Sequence, residues 1–227
     1  MSEAPALPDS TFPLIFAAPS GAGKTSIAHA LRDRRDDVIF SVSATTRAPR
    51  GYEQEGVHYF FRSEEEFRRL IAEGQLLEWA EVHGQLYGTP RWNLDAARAA
   101  RKHLILDIDV QGSRLVRHAV PEAVSIFVLP PSGAELAGRL KGRGSEEPEA
   151  RQRRLRAARH EIAAAPEFDY VIVNDDLESS VDAVEAILRA EAARTVRLGA
   201  LVDLVDRLCE EVDRHLEFER GEPAEQP

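Results

Sequence analysis

The sequence predicts an α/β fold: a mostly parallel sheet with helices on both faces, interrupted by a small mixed α and β insertion. Three observations carry this expectation. Short apolar runs alternate with polar, helix-spaced segments along most of the chain. The first run, "FPLIFAA", leads into the glycine-rich "APSGAGKTS" and then into a helical pattern. From about residue 43 to 91 the texture changes to short strand-like pieces around a single helix.

In chain order, residues 1–10 read as a loose tail. "FPLIFAA" is a short buried strand, and "KTSIAHALRDR" places Ile27, Ala30 and Leu31 at helical spacing. "VIFSVSATT" reads as a second strand and "VHYFF" as a short one. "SEEEFRRLIAEG" is a helix opened by a capping box, Ser63 with Glu66, and stopped at Gly74. "LLEWAEV" and "QLYGT" flank a turn at Gly84 and close the insertion. "HLILDIDV" and "VSIFVL" resume the core strands, and Ser132 with Glu135 forms a second capping box after Pro130 and Pro131. "KGRGSEEPEARQRRLRAARHE" is densely charged and belongs on the surface, while "DYVIVN" is the last strand. The domain so defined spans residues 11–190, with core segments 11–42 and 92–190. A further helix is expected over 195–217, where Leu198, Leu201, Val205, Leu208 and Val212 recur at 3–4 spacing. That stripe either packs on its own domain or forms a dimer seam, so monomer and homodimer both stay open. Residues 218–227 are expected to be disordered.

Composition narrows the functional classes. A chain of 227 residues with 43% hydrophobic and 30% charged residues suits one soluble globular domain. No apolar run approaches the roughly 18 residues of a membrane span. "MSEAPALPDS" lacks a basic-then-apolar signal, and the single Cys209 cannot form an internal disulfide, so the cytoplasm fits. The net charge of −10 argues against broad nucleic-acid binding but not against a local nucleotide pocket.

The glycine-rich stretch carries the strongest chemistry. Ala18, Pro19, Ser20, Gly21, Ala22, Gly23, Lys24 and Thr25 follow the phosphate-loop pattern except for Ala18, where the pattern asks for glycine. In such a loop the backbone N–H groups cradle phosphates, Lys24 reaches the β- and γ-phosphates, and the Thr25 hydroxyl serves Mg2+. Only three of the 29 basic residues are lysines, which sharpens the significance of Lys24. Ala18 is costly if its backbone needs a positive φ, and cheap if it is still strand-like.

An acceptor site is suggested further on. Arg47 and Arg50, with Tyr59 downstream, suit a phosphate, although surface arginines are common in this chain. Glu78, in the apolar "LLEWAEV", lies either on a solvated edge or in a pocket. In a pocket its carboxylate could take the two adjacent donors of guanine, with Ser43 and Thr89 supplying hydroxyls. Asp107 and Asp109 alternate on one strand face at its C-terminal end, where Asp107 can assist Mg2+ and Asp109 can alternatively cap a helix.

Taken in order, "APSGAGKT", "SVSATTRAPRGYEQEGVHYF", "LLEWAEV", "YGTP", "ILDIDVQG", "FVLPPS", "RLKGRG" and "VIVNDD" closely resemble the bacterial guanylate kinases over about residues 11–190. The resemblance implies the P-loop NTPase fold, a GMP-binding insertion over about 43–91 and a helical lid over about 138–158. It implies ATP at 18–25 with Asn174 near the adenine. It implies the GMP phosphate at Arg47, Arg50, Tyr59 and Tyr87, with Glu53 in register beside them. Ser43, Glu78, Thr89 and Asp109 would read guanine or support its readers, and Arg139, Arg143 and Arg154 would approach the transferred phosphoryl. Thr25 and Asp107 would serve Mg2+. The implied reaction is ATP-dependent phosphorylation of GMP, with deoxy-GMP as a further acceptor. In the family pattern R-x-x-R-x-G-E this chain reads "RAPRGYE", with Gly51 one place early and Tyr52 in the glycine position. A sugar-phosphate kinase and a catalytically dead peptide-binding module remain as alternatives; the intact Gly23-Lys24-Thr25 argues against the second.

Overall fold

The computed structural model describes residues 11–141 and 148–220. Five strands form the core sheet: β1 (Pro13–Ala17), β2 (Val38–Phe40), β7 (His103–Asp107), β8 (Val124–Leu129) and β9 (Tyr170–Val173). Their order is β2-β7-β1-β8-β9, and every pairing in that sheet is parallel. The smaller sheet consists of β3 (Ala44–Thr45), β4 (Phe60–Phe61), β5 (Leu76–Val82) and β6 (Gln85–Pro90), in the order β4-β3-β6-β5. Its β5–β6 and β3–β6 pairs are antiparallel, and β5 carries a register shift between Leu76 and Glu78.

The helices are α1 (Lys24–Arg34), α2 (Glu64–Ala72), α3 (Trp92–Ala99), α4 (Val110–Ala119), α5 (Gly133–Lys141), α6 (Pro148–Ala163), α7 (Leu177–Ala192) and α8 (Leu201–Arg220). Parallel strands need crossovers, and the helices supply them. Every residue of β1 is buried, as expected of a strand covered on both faces. On one face Ile15, Leu104 and Leu106 pack with Leu94, Ala97 and Val116 from α3 and α4. By strand alternation Leu14, Phe16 and Ile105 serve the opposite face. Each such fully buried side chain contributes about 1.5–3 kcal/mol. The smaller sheet has its own core of Ala44, Phe67, Leu76 and Leu86.

Three expectations are corrected. "VIFSVSATT" is not one strand: β2 ends at Phe40, and the chain restarts as β3 in the other sheet. Asn93 explains the break, because its side chain accepts from Val42 N at 3.2 Å and donates to Val42 O at 3.0 Å. "HLILDIDV" stops as a strand at Asp107, so Asp107 and Asp109 do not share a strand face. The C-terminal helix occupies Leu201–Arg220, so residues 218–220, expected in a disordered tail, are helical. The expected tail of residues 1–10 lies outside the described residues.

The chain divides into two compact units, Thr11–Ile187 and a second that includes everything from Leu188. In the second, Arg194 and Arg197 converge on Glu191, with N–O distances of 3.1 and 3.0 Å. Along α8, Val202, Val205, Leu208, Val212 and Leu216 are exposed.

Candidate functional site

The loop from Ala18 to Thr25 lies at the C-terminal end of β1, where open parallel sheets place ligands. Ala18 does not have a positive φ, so its methyl costs nothing there; the turns fall on Gly21 (φ 90°) and Gly23 (φ 94°). Gly23 is the N-cap of α1, and a Cβ on it would collide with Asn174 Nδ2. Pairing of Phe16 with Asp107 brings the end of β7 beside this loop. Lys24 is ion-paired with Asp107 and donates to Ile108 O at 3.0 Å. Thr25 Oγ1 donates to Asp107 Oδ2 at 2.9 Å. A hydroxyl and a carboxylate oxygen side by side next to a phosphate loop are the donor set of a hard divalent cation, so these residues fit Mg2+. The cleft they border measures about 340 Å³.

A second cleft on the outer side of the loop, about 600 Å³, is lined by Ser26, Arg139, Asn174, Asp175 and Leu177. Asn174 is buried there. Its Nδ2 donates to Ala22 O at 2.7 Å and its Oδ1 accepts from Ser180 Oγ at 3.1 Å. The Asn174 side chain therefore braces the loop. Arg139 reaches Ala22 O and Asn174 O, each at 3.4 Å. Arg154 donates to Ser20 Oγ at 3.2 Å. Arg143 lies outside the described residues.

The residues expected at the acceptor site gather on the smaller sheet and the loop before β4. Glu53 Oε1 takes Arg47 Nη2 at 2.8 Å, and Oε2 takes the Arg50 N–H at 2.7 Å. One carboxylate thus sets the spacing of both arginines. The Arg47 guanidinium, ahead of the Arg50 N–H, holds Glu53 down at about 2. Glu53, and to a lesser degree Tyr87, raises Arg47 above its usual range. Arg47 lies 5.4 Å from the Tyr59 ring centroid, and Tyr59 stands edge-on to Tyr87 at 6.2 Å. Neither Gly51 nor Tyr52 has a positive φ, so the tyrosine in the glycine position imposes no backbone strain; its exposed ring lies edge-on to His58.

Glu78 lies on β5, the edge strand of the smaller sheet, and is half-buried there. Thr89, fully buried on the facing strand, donates to Glu78 Oε1 at 2.6 Å. Burial first, and then the nearby Asp109, push the Glu78 carboxyl up, while the Thr89 hydroxyl opposes them. Asp109 is the N-cap of α4 and accepts the Gly112 N–H at 2.7 Å. A Cβ on Gly112 would lie 3.3 Å from Glu78 Oε2. Ser43 precedes β3, its carbonyl accepting Phe60 N at 2.8 Å. The half-buried Glu78 carboxylate can thus be set against two adjacent N–H donors.

Sequence reasoning missed Asn93, which reaches Val42 far back along the chain, Gly112, which stands against Glu78, and Ser180, which holds Asn174. It also missed Glu161, for which one signal existed: a spacing of seven from Arg154, two turns along one helix face.

A parallel sheet ordered around β1, a glycine-rich loop capping α1 and a facing Asp107 together define a phosphate-loop nucleotide-binding α/β protein. The guanylate kinase family model matches residues 10–191. The chain is 52% identical to the guanylate kinase of Anaeromyxobacter dehalogenans over 183 residues, 80% of this chain and 81% of that protein. It is 50% identical to that of Gluconobacter oxydans over 193 residues, 85% of this chain and 93% of that protein. The crystal structure of guanylate kinase from Anaplasma phagocytophilum matches with a TM-score of 0.70 at 37% identity, covering 88% of this chain and 96% of that one. The chain belongs to the guanylate kinase family and is an enzyme, a kinase that binds ATP and transfers its phosphoryl group to GMP. Among the described residues no helix is long and apolar enough to cross a membrane.

Proposed function

We propose that the chain transfers the γ-phosphoryl of ATP to GMP or deoxy-GMP through the residues described above, with Mg2+ at Thr25 and Asp107, and so returns GMP to the purine nucleotide pool. The observation that carries the assignment of the acceptor is the half-buried Glu78, held by the fully buried Thr89 on the same small sheet as Tyr87. A buried carboxylate accepts the ring N–H and exocyclic amine of guanine, whereas adenine would set an acceptor against it. Arg47, Arg50, Tyr59 and Tyr87 would then hold the acceptor phosphate, with Ser43 and Asp109 supporting the base site. The acceptor is already anionic, so the transfer needs no strong general base. Catalysis rests on in-line positioning and charge stabilisation by Lys24, Arg139, Arg143 and Arg154. Mg2+ bound at Thr25 and Asp107 would supply positive charge to the phosphate oxygens.

The test is a coupled ADP-release assay with ATP, Mg2+ and each of GMP, AMP, CMP, UMP and a sugar phosphate. Turnover with GMP alone supports the reading. Equal turnover with AMP would remove Glu78 from base selection, and turnover only with a phosphorylated sugar would move the acceptor to another class.

A further inference from the structure

The helix α6 brings a basic and an acidic side chain onto the same residue of the phosphate loop. Arg154 and Glu161 lie seven apart, two turns along one face. Arg154 Nη2 donates to Ser20 Oγ at 3.2 Å, while Ser20 donates its backbone N–H to Glu161 Oε2 at 3.3 Å. Glu161 also borders the cleft that holds Lys24, Thr25 and Asp107. The loop is built to turn N–H groups toward an anion. A carboxylate oxygen and a phosphate oxygen are anionic acceptors of the same kind, so Glu161 and an incoming polyphosphate compete for one donor. The two side chains on α6 respond with opposite signs: a phosphate repels Glu161 and attracts Arg154.

We propose that Glu161 is a positioning residue that acts as the loop's own competitor anion, holding α6 to Ser20 and lowering the affinity of the loop for phosphates. The idea rests on the reading of residues 18–25 as the ATP site. It acts on that side alone, because the Arg47, Tyr59 and Tyr87 cluster is built from other elements. A residue that merely anchored α6 would act through its hydrogen bond. A competitor acts through its charge. Glu161→Gln separates the two, since the amide oxygen still accepts the Ser20 N–H.

The experiment is calorimetric titration of tripolyphosphate, ATP and GMP into the full chain, wild type against Glu161→Gln, at low and high salt. Tripolyphosphate and ATP are expected to bind about three- to tenfold more tightly to the variant, with the gain shrinking as salt screens the charge. GMP affinity should not change, which also reports that the variant is folded. Glu161→Ala, which removes both charge and acceptor, should tighten anion binding as well. Wild-type binding of ATP with equal or weaker binding by Glu161→Gln overturns the competitor role alone. A wild-type chain that binds neither anion overturns the ATP assignment of the loop, and this inference with it.

Discussion

Glu78 carries two demands that oppose each other. Its carboxyl is pushed above the usual glutamate range, chiefly by burial, so the fold favours the protonated form. Between the unfolded and the raised folded value the native state binds more protons, and stability therefore falls as pH rises through that window. The proposed reading of guanine needs the opposite form, because only the carboxylate accepts both N–H groups. GMP affinity should thus weaken on acidification at a higher pH than an ordinary glutamate would dictate, while stability moves the other way. Glu53, held at about 2, keeps its charge through this range, while the GMP phosphate itself titrates at about 6, so the part of the loss that belongs to Glu78 is the part that Glu78→Gln removes. Glu78→Gln should weaken GMP binding about 10- to 100-fold by leaving buried donors mispaired. It should also flatten the pH dependence. Calorimetric GMP affinities between pH 4 and 8 for both chains check this, and an unchanged pH profile in the variant would remove Glu78 from the base site. Two glycines make a second residue-scale contrast. Gly23→Ala meets both a positive φ and Asn174, and should abolish ATP binding. Gly51→Ala meets nothing within 4 Å at an ordinary φ, and should leave ATP and GMP affinities as they were.

At the scale of elements, α2 shows how local chemistry sets a helix. Ser63 Oγ accepts the Glu66 N–H at 3.2 Å and Glu66 Oε2 returns to the Ser63 N–H at 2.8 Å. The helix stops at Ala72, and Gly74, with φ 65°, turns the chain away. Ser63→Ala should cost about 1 kcal/mol of stability, read by thermal denaturation, with no change in the KM for ATP. This helix was legible in the sequence because start, stop and period are all written within a dozen positions. The core strands were legible for a similar reason, as apolar runs bounded by loops. Where β2 gives way to β3 was not, since the run "VIFSVSATT" holds no glycine or proline. The break is imposed by Asn93, 51 positions on. Asp109 misled in the same way: "DIDV" alternates like a strand, but Asp109 closes on the Gly112 N–H and starts α4. In the site, the loop and Glu78 could be read from residue type and local pattern. The contacts of Asn174 with Ala22 and of Glu161 with Ser20 could not, because those loop partners are brought to them only by the fold.

At the scale of the whole molecule, the question is how much of the chain the chemistry needs. Each site residue within the described part of the chain falls between Ala18 and Asn174, inside the unit Thr11–Ile187. The hydrophobic clusters under both sheets also belong to that unit. Its packing and loop bracing are supplied by residues such as Ser180, well before α8. The residues that line the two clefts beside the loop run from Ala18 to Leu177, inside that unit. A chain ending at Arg197 keeps α7 and the Glu191–Arg197 pair while losing α8. It should fold, and its KM values for ATP and GMP and its kcat should match those of the full chain in the same coupled assay. A large fall in kcat with cooperative unfolding intact would show that α8 contributes to catalysis from outside the unit that holds the described site. Loss of cooperative unfolding would instead give α8 a part in stability, which the self-contained cores of Thr11–Ile187 do not predict.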